Sequence, residues 1–472
     1  MQIPLTKGAY LVDGERAINL YAVFNAAKRA HEFLGTEGLE LFATLGASAI
    51  RGMYVATNDD TKLYVVAGSN VYRISTDGTS VKYTTALDTS SGLLEWSDNG
   101  TQITITDGTD GYVITIASTP PAGLAKIADA DFPGGGSNTF QNGVTIVAKP
   151  DSQQVNSSDL NDSTAWNALN FAEAEGIPDN LQRVLEFGQK LFLFGIISTE
   201  VWFYDGGSGF PFTRLDGAVL LYGLAAKNSL AKNDQAMYFL ARTRAADGER
   251  VVVEVRGYQA SIVSTQGINE LLATLTNTAD AEGYAYMREG HSFYELTFPS
   301  DNLTLVYDSR EKLWHERKSL DGTGSEIRHR ARCYAYFNGF HMVGDYASGN
   351  IYKLKSNVYD ENGTTIRRKL IVPEVTDTAN NRRFTVGQLI VPMKTGVGAA
   401  NGQGVDPQLM MRYSKDGGKT WSNEKQTSFG KLGEYSKRVR FRTLGAMFKL
   451  NVELSVSDPV EVRFTGPLVI PK

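Results

Sequence analysis

The residues whose types and spacing best suit a local chemical task are Ser414-Lys415-Asp416-Gly417-Gly418-Lys419-Thr420-Trp421. They fit the Asp-box pattern Ser-x-Asp-x-Gly-x-Thr-Trp. The chemistry is that of a hairpin turn: Ser and Asp side chains hydrogen-bond turn amides, Gly takes a positive φ, and Trp folds back as a cover. Ser414, Asp416, Gly418, Thr420 and Trp421 are therefore expected to act structurally. Two arginine triplets also alternate, Arg328/Arg330/Arg332 and Arg438/Arg440/Arg442. On a strand, a period of two puts three guanidinium groups on one face. Such a stripe suits an acidic neighbour or a phosphate backbone, and equally ion pairs between subunits or a solvated face.

Other reactive types are not grouped for chemistry. The five histidines, His31, His291, His315, His329 and His341, do not pair with each other or with Cys333 at metal-ligand spacing. There is no HExxH, CxxC, phosphate-binding loop or Gly-x-Ser-x-Gly elbow. Gly396-Val397-Gly398-Ala399-Ala400-Asn401-Gly402 has one residue too many for a dinucleotide fingerprint, and Pro407 stands where a helix should run. It reads as a loop, as does Pro133-Gly134-Gly135-Gly136. No catalytic residue, cofactor or metal is expected. Acids distant in sequence can still converge in space. That keeps a propeller-type, sialidase-like glycosidase, or a carbohydrate-binding propeller, as the alternative. Sialidases usually carry several Asp boxes and an arginine triad, and this chain has one box.

The elements that must carry these residues are recurring hairpins. Leu63–Ala67 and Val71–Ile74 flank a tight turn, and Gln102–Thr106 with Tyr112–Ile116 repeats the pattern. Leu191–Phe194 leads to Val201–Tyr204, Met237–Leu240 to Val251–Val255, Phe293–Leu296 to Leu303–Tyr307, and His341–Gly344 to Ile351–Leu354. Tyr72 and Tyr112 are 40 residues apart, Tyr204 and Val253 49, Val253 and Tyr307 54, and Tyr307 and Tyr352 45. A weaker unit at Gly143–Ala148 fills the longest gap. Propeller blades repeat at roughly 40–50 residues. The expected fold is all-β: a β-propeller of about six or seven blades over 40–356 and a C-terminal antiparallel β domain over 357–472. A sandwich or a string of β domains is the alternative. Residues 1–39 read as an N-terminal arm with a short helix at Ala22–Leu34, stopped by Gly35. Phe171–Glu175 and Asp179–Val184 suit short helical turns.

Composition bounds the partners. The chain has 472 residues, 42% hydrophobic and 21% charged, with 47 glycines and a net charge of −5. An acidic balance does not favour gripping DNA by phosphate neutralisation. One cysteine, Cys333, rules out an internal disulfide. The apolar run near Ala218–Ala226 is about half the roughly 20 residues a membrane helix needs, so no membrane insertion is expected. Met1–Lys7 has no signal-peptide pattern.

The order of several short segments resembles a known family. These are Lys7–Tyr10, Ile18-Asn19-Leu20-Tyr21, Phe33–Leu39, Ile50–Tyr54, Arg438–Gly445, Phe448–Val452 and Ser457–Val460. Together they resemble the packaged-DNA stabilisation proteins of short-tailed phages, also called tail hub or nozzle proteins. Glu37 departs from the pattern, which has Pro in a Thr-Pro-Gly turn. The resemblance implies a virion structural protein of the tail, assembled in the host cytoplasm. It implies a homo-oligomeric ring, typically of six copies, below the portal and its head-to-tail adaptor. Such a ring retains packaged DNA, bears tailspikes, fibres or a needle, and lets double-stranded DNA pass without sequence readout. No catalytic residues carry over.

Overall fold

The computed structural model describes residues 2–3, 15–177, 179–243, 248–377 and 382–470. Lys7–Tyr10, the first of the family-like segments, and most of Met1–Lys7 lie outside them. Seven antiparallel sheets follow one another around an axis among the described residues: 50–86 (blade 1), 95–126, 138–173, 183–220, 222–262, 282–316 and 331–355 (blade 7). Each blade runs outward from an innermost strand, such as Ile50–Ala56 or Ala331–Phe337, which packs beside the innermost strand of the adjacent blade.

Strand composition explains this arrangement. The second strand of blade 1 ends in Leu63–Ala67, all buried, because a blade inside the ring is covered on both faces. The outermost strand, Ser80–Ala86, buries Tyr83 and leaves most of its other residues exposed. The turn Asn338-Gly339 has φ of 49° and 77°, the pair of positive angles that a two-residue hairpin needs. The hairpins expected from sequence are the second and third strands of the blades.

Gly38–Thr44 closes the ring. It pairs antiparallel with Asn350–Lys355 and so becomes the outer strand of blade 7, about 300 residues away in the chain. Leu39 is fully buried there among Tyr284, Tyr286, Phe293, Tyr352 and Leu354, sealing blade 6 against blade 7.

The C-terminal domain is a β-sandwich. One sheet holds Arg368–Ile371, Lys449–Val456, Gln408–Ser414 and Lys425–Ser428; the other holds Phe384–Ile390, Arg440–Met447 and Leu468–Val469, with Gln2–Ile3 on its edge. A single sheet runs through both domains. Arg16–Ile18 pairs parallel with Leu313–Glu316 of blade 6 and antiparallel with Arg368–Ile371 of the sandwich. Asn19, at φ 55°, secures this crossing: its Nδ2 donates to Lys318 O at 2.9 Å and Arg367 O at 2.8 Å, and its Oδ1 accepts from Lys318 N.

The helix expected at Ala22–Leu34 is a hairpin, Leu20–Asn25 with Ala30–Gly35. Asn25 Oδ1 accepts from the amides of Ala27 and Lys28, so the alanine-rich stretch is held as a turn. Phe33 pairs with Phe464, and Leu20, Ala22 and Phe33 join the sandwich core. Tertiary partners override helix propensity here. Phe171–Glu173 is strand and Asp179–Val184 is not helical. The α-helix among the described residues is Gln266–Thr274, capped by Thr265 Oγ1 and packing Ile268 and Leu272 into the core between blades 5 and 6.

Candidate functional site

The Asp-box turn joins Gln408–Ser414 to the segment leading into Lys425–Ser428. Ser414 Oγ donates to Asp416 Oδ1 (2.7 Å) and accepts from Gly418 N (2.9 Å). Asp416 accepts from Thr420 N (2.9 Å) and Thr420 Oγ1 (2.6 Å). Those Thr420 hydrogen bonds hold its carboxyl well below the usual carboxylate range. Gly417 and Gly418 have φ of 77° and 85°. Trp421 lies beside the turn, with the Arg412 guanidinium 5.7 Å from its ring. The Ser414, Asp416 and Thr420 side chains are spent on the turn itself.

The two arginine triplets behave differently. Arg328 ends one short strand and Arg332 lies in the next, with His329 and Arg330 between them outside both, so the first triplet is not a strand-face stripe. Arg328 stacks on Tyr346 at 3.7 Å. Arg330 donates to Leu320 O and lies within 4 Å of Asp345 and Glu361. Arg332 grips Glu282 at 2.6–3.1 Å. Arg438, Arg440 and Arg442 are exposed at alternate positions, while Val439 and Phe441 between them are buried. None of these three arginines makes an ion pair among the described residues.

At the propeller axis, Arg51, Arg183 and Arg332 meet Tyr284 and Cys333 around a cavity of about 250 Å³. Sequence reading missed this grouping, because the three arginines come from blades far apart in the chain. Three arginines and a tyrosine in a propeller invite comparison with a carboxylate-binding centre, but each arginine is engaged. Arg51, fully buried, donates to Gly92 O (2.8 Å), Gly68 O (2.9 Å), Thr89 O (2.8 Å) and Thr89 Oγ1 (2.9 Å). Arg183 lies 3.2 Å from Glu95 and donates to Leu230 O. Burial pushes the Cys333 thiol up to about 12, so it is protonated and weakly nucleophilic at neutral pH.

A second polar cluster lies between blades 6 and 7. Glu295 Oε1 is 2.5 Å from His329 Nδ1, and its Oε2 is 3.5 Å from Arg317 Nη1. Burial alone would raise the Glu295 carboxyl; the charges of His329 and Arg317 override it and hold it at about 2. Arg317 also faces Glu37 at 3.6 Å, and Arg288 reaches Glu37 at 2.8 Å. Glu37, the departure from the family-like turn, is thus compensated by two arginines. No group of three or more His, Cys, Asp or Glu suited to a metal occurs among the described residues. No helix among them is long and apolar enough to cross a membrane.

The sequence matches the family profile described as "Bacteriophage P22 Gp10, beta-propeller" over residues 1–359 and "Bacteriophage P22 Gp10, beta-sandwich" over 375–466. The chain belongs to the bacteriophage P22 Gp10 family. It is a packaged-DNA stabilisation, or tail hub, protein of the short-tailed phage type, and a structural component of the virion. The propeller and sandwich named for Gp10 are the two domains described above. No curated protein matches the sequence. Among solved structures, the chain is similar to virginiamycin B lyase from Staphylococcus aureus at 12% identity and a TM-score of 0.44, covering 66% of this chain and 97% of that one. It is similar to BamB from Moraxella catarrhalis at 9% identity and a TM-score of 0.38, covering 71% and 94%. Nothing is transferred from either to this Gp10-type chain.

Charge divides the Gp10-type chain unevenly. From Val375 onward there are 15 Lys and Arg against 8 Asp and Glu, a net +7, which leaves −12 for the first 374 residues. The Arg438/Arg440/Arg442 stripe lies on the cationic part.

Proposed function

We propose that this chain assembles as a ring of six copies that connects the portal and its adaptor to tail appendages and retains packaged DNA. Tailspikes, fibres or a needle are the appendages such a ring carries. Double-stranded DNA passes through without base readout. The chain assembles in the host cytoplasm and acts in the virion without catalysing a reaction.

The observation that carries this reading is the match to both Gp10 domains across most of the chain. Two physical features support it. The cationic sandwich and acidic propeller are complementary, which suits head-to-tail contacts between copies and closure into a ring. Large apolar side chains also stand exposed on both domains: Leu160 and Leu169 in blade 3, Leu432 and Tyr435 in the sandwich. The engagement of Arg51, Arg183 and Arg332 by internal partners supports a non-enzymatic role over the glycosidase alternative.

Electron microscopy of the purified chain mixed with a portal–adaptor complex tests the proposal. A ring seated below the adaptor is expected. A chain that stays monomeric and never joins the complex overturns it. A phage lacking the gene is expected to package DNA and then lose it, measured as nuclease-sensitive DNA in finished heads.

A further inference from the structure

Arg368 begins the sandwich strand that pairs with Arg16–Ile18, and its side chain shares a face with the core residue Leu370. It is 1% exposed. Its Nε, Nη1 and Nη2 have no hydrogen-bond partner among the described residues. A Cβ on Gly35 would come within 2.6 Å of Nε, so the guanidinium is laid directly over that glycine. Burial pulls the group down to about 10, which still leaves it charged at neutral pH. A buried charge without partners is costly, and native structures pair such groups with a ligand, ion or water.

The guanidinium lines a cavity of about 290 Å³ where propeller, N-terminal hairpin and sandwich meet. Two carboxylates share that lining: Glu461 is 2.6 Å from Lys394, and Glu289 is 3.5 Å from Arg288, which also holds Glu37 at 2.8 Å. Glu361 and Asp360 act on Arg368 through space, without a hydrogen bond or ion pair to it among the described residues, so its N–H groups are left unsatisfied. Tyr21, Ser356, Asn357 and Tyr359 add neutral hydroxyl and amide donors. A guanidinium fork presents parallel N–H groups matched to two oxygens of a phosphate or carboxylate.

We propose that this cavity is a binding site for a free oxyanion of the phosphate class, anchored by Arg368 and completed by Tyr21 and Tyr359. Because the lining comes from the hairpin, the 356–359 linker and the sandwich, a bound anion ties three segments of the joint together. Binding to the folded state alone raises stability with concentration.

Thermal unfolding of the full chain at constant ionic strength, with phosphate replacing chloride, is the first test. A saturable rise in melting temperature is expected for the natural chain. In Arg368→Gln the apparent affinity falls by about tenfold or more, and Tyr359→Phe gives a smaller loss. Equal melting in phosphate and chloride overturns the proposal, as does an Arg368→Gln response identical to that of the natural chain. Should Arg368→Gln not fold, ³¹P line broadening of phosphate by the natural chain decides. Saturable broadening supports the site, and its absence removes it.

Discussion

Up to residue 374 acids outnumber bases by 12, while from Val375 on bases outnumber acids by 7. The two regions also place their ionic groups differently. The propeller turns many inward, as in Glu295, Arg317, His329 and Glu361, all at least nine-tenths buried. The sandwich keeps Arg438, Arg440 and Arg442 on its outer face and, apart from Arg368 at the joint with the propeller, fills its interior largely with Val, Leu, Phe and Met. Inward ionic groups cost desolvation and fix which strands neighbour one another; outward ones cost little and remain free for partners. The contrast fits the proposed ring, with one region serving internal registration and the other contact.

The largest test of this contrast is Leu39→Asp. A carboxylate among the tyrosines and phenylalanines of the closing seam is expected to abolish cooperative unfolding of the propeller, read by urea denaturation. Leu39→Ala should cost about 2–5 kcal/mol. Loss of the sandwich in the same transition shows that the shared sheet couples the domains; a separate sandwich transition breaks that coupling.

Arg317→Met comes next. It leaves Glu295 and Glu37 short of a buried partner and is expected to cost about 3–5 kcal/mol. Glu295→Leu combined with Arg317→Met should recover part of the loss in a double-mutant cycle. Additive losses would end the idea of a registering ion cluster.

A smaller effect is pH-dependent. Burial lowers His315 from 6.5 to about 3, so the folded chain holds it neutral while the unfolded chain protonates it. The unfolded state then binds more protons between these values, and His315's contribution is lost as pH falls from 6.5 towards 3. The slope from this one group is at most about 1.4 kcal/mol per pH unit. His315→Phe should flatten the curve in that window, measured by unfolding at stepped pH. An unchanged slope assigns the acid sensitivity elsewhere.

The smallest change in stability belongs to the outward stripe. Replacing Arg438, Arg440 and Arg442 with Glu should shift unfolding by no more than about 0.5 kcal/mol per site. The same triple change should abolish self-assembly in sedimentation. Intact assembly would deprive the stripe of its contact role.

Much of the propeller is legible because runs such as Leu63–Ala67 and Leu191–Phe194 are apolar at every position, which only strands covered on both sides require. The hairpin at Leu20–Gly35 is not legible. Ala26, Ala27 and Ala30 favour a helix locally, and the partner that decides, Phe464, lies more than 400 residues away. Gln266–Thr274 escapes notice because it is short and polar on one side. The Asp box is fully legible because its hydrogen bonds stay within eight residues. The seam cluster is not, since Glu37 and Arg317 are 280 positions apart. Alternation identifies Arg438–Arg442 but misleads at Arg328–Arg332, where the strand breaks at His329.

Consider a ribosome making this chain. It releases Gly38–Thr44 early, and the mate of that segment, Asn350–Lys355, emerges only after six blades have been made. Until then the early segment is an unpaired edge, and the nascent protein exposes surfaces that invite aggregation. Arg16–Ile18 waits longer still, for Arg368–Ile371. Maturation is therefore a late event that tests for nearly full-length synthesis: a product truncated before residue 350 lacks the latch and cannot pass as a finished subunit.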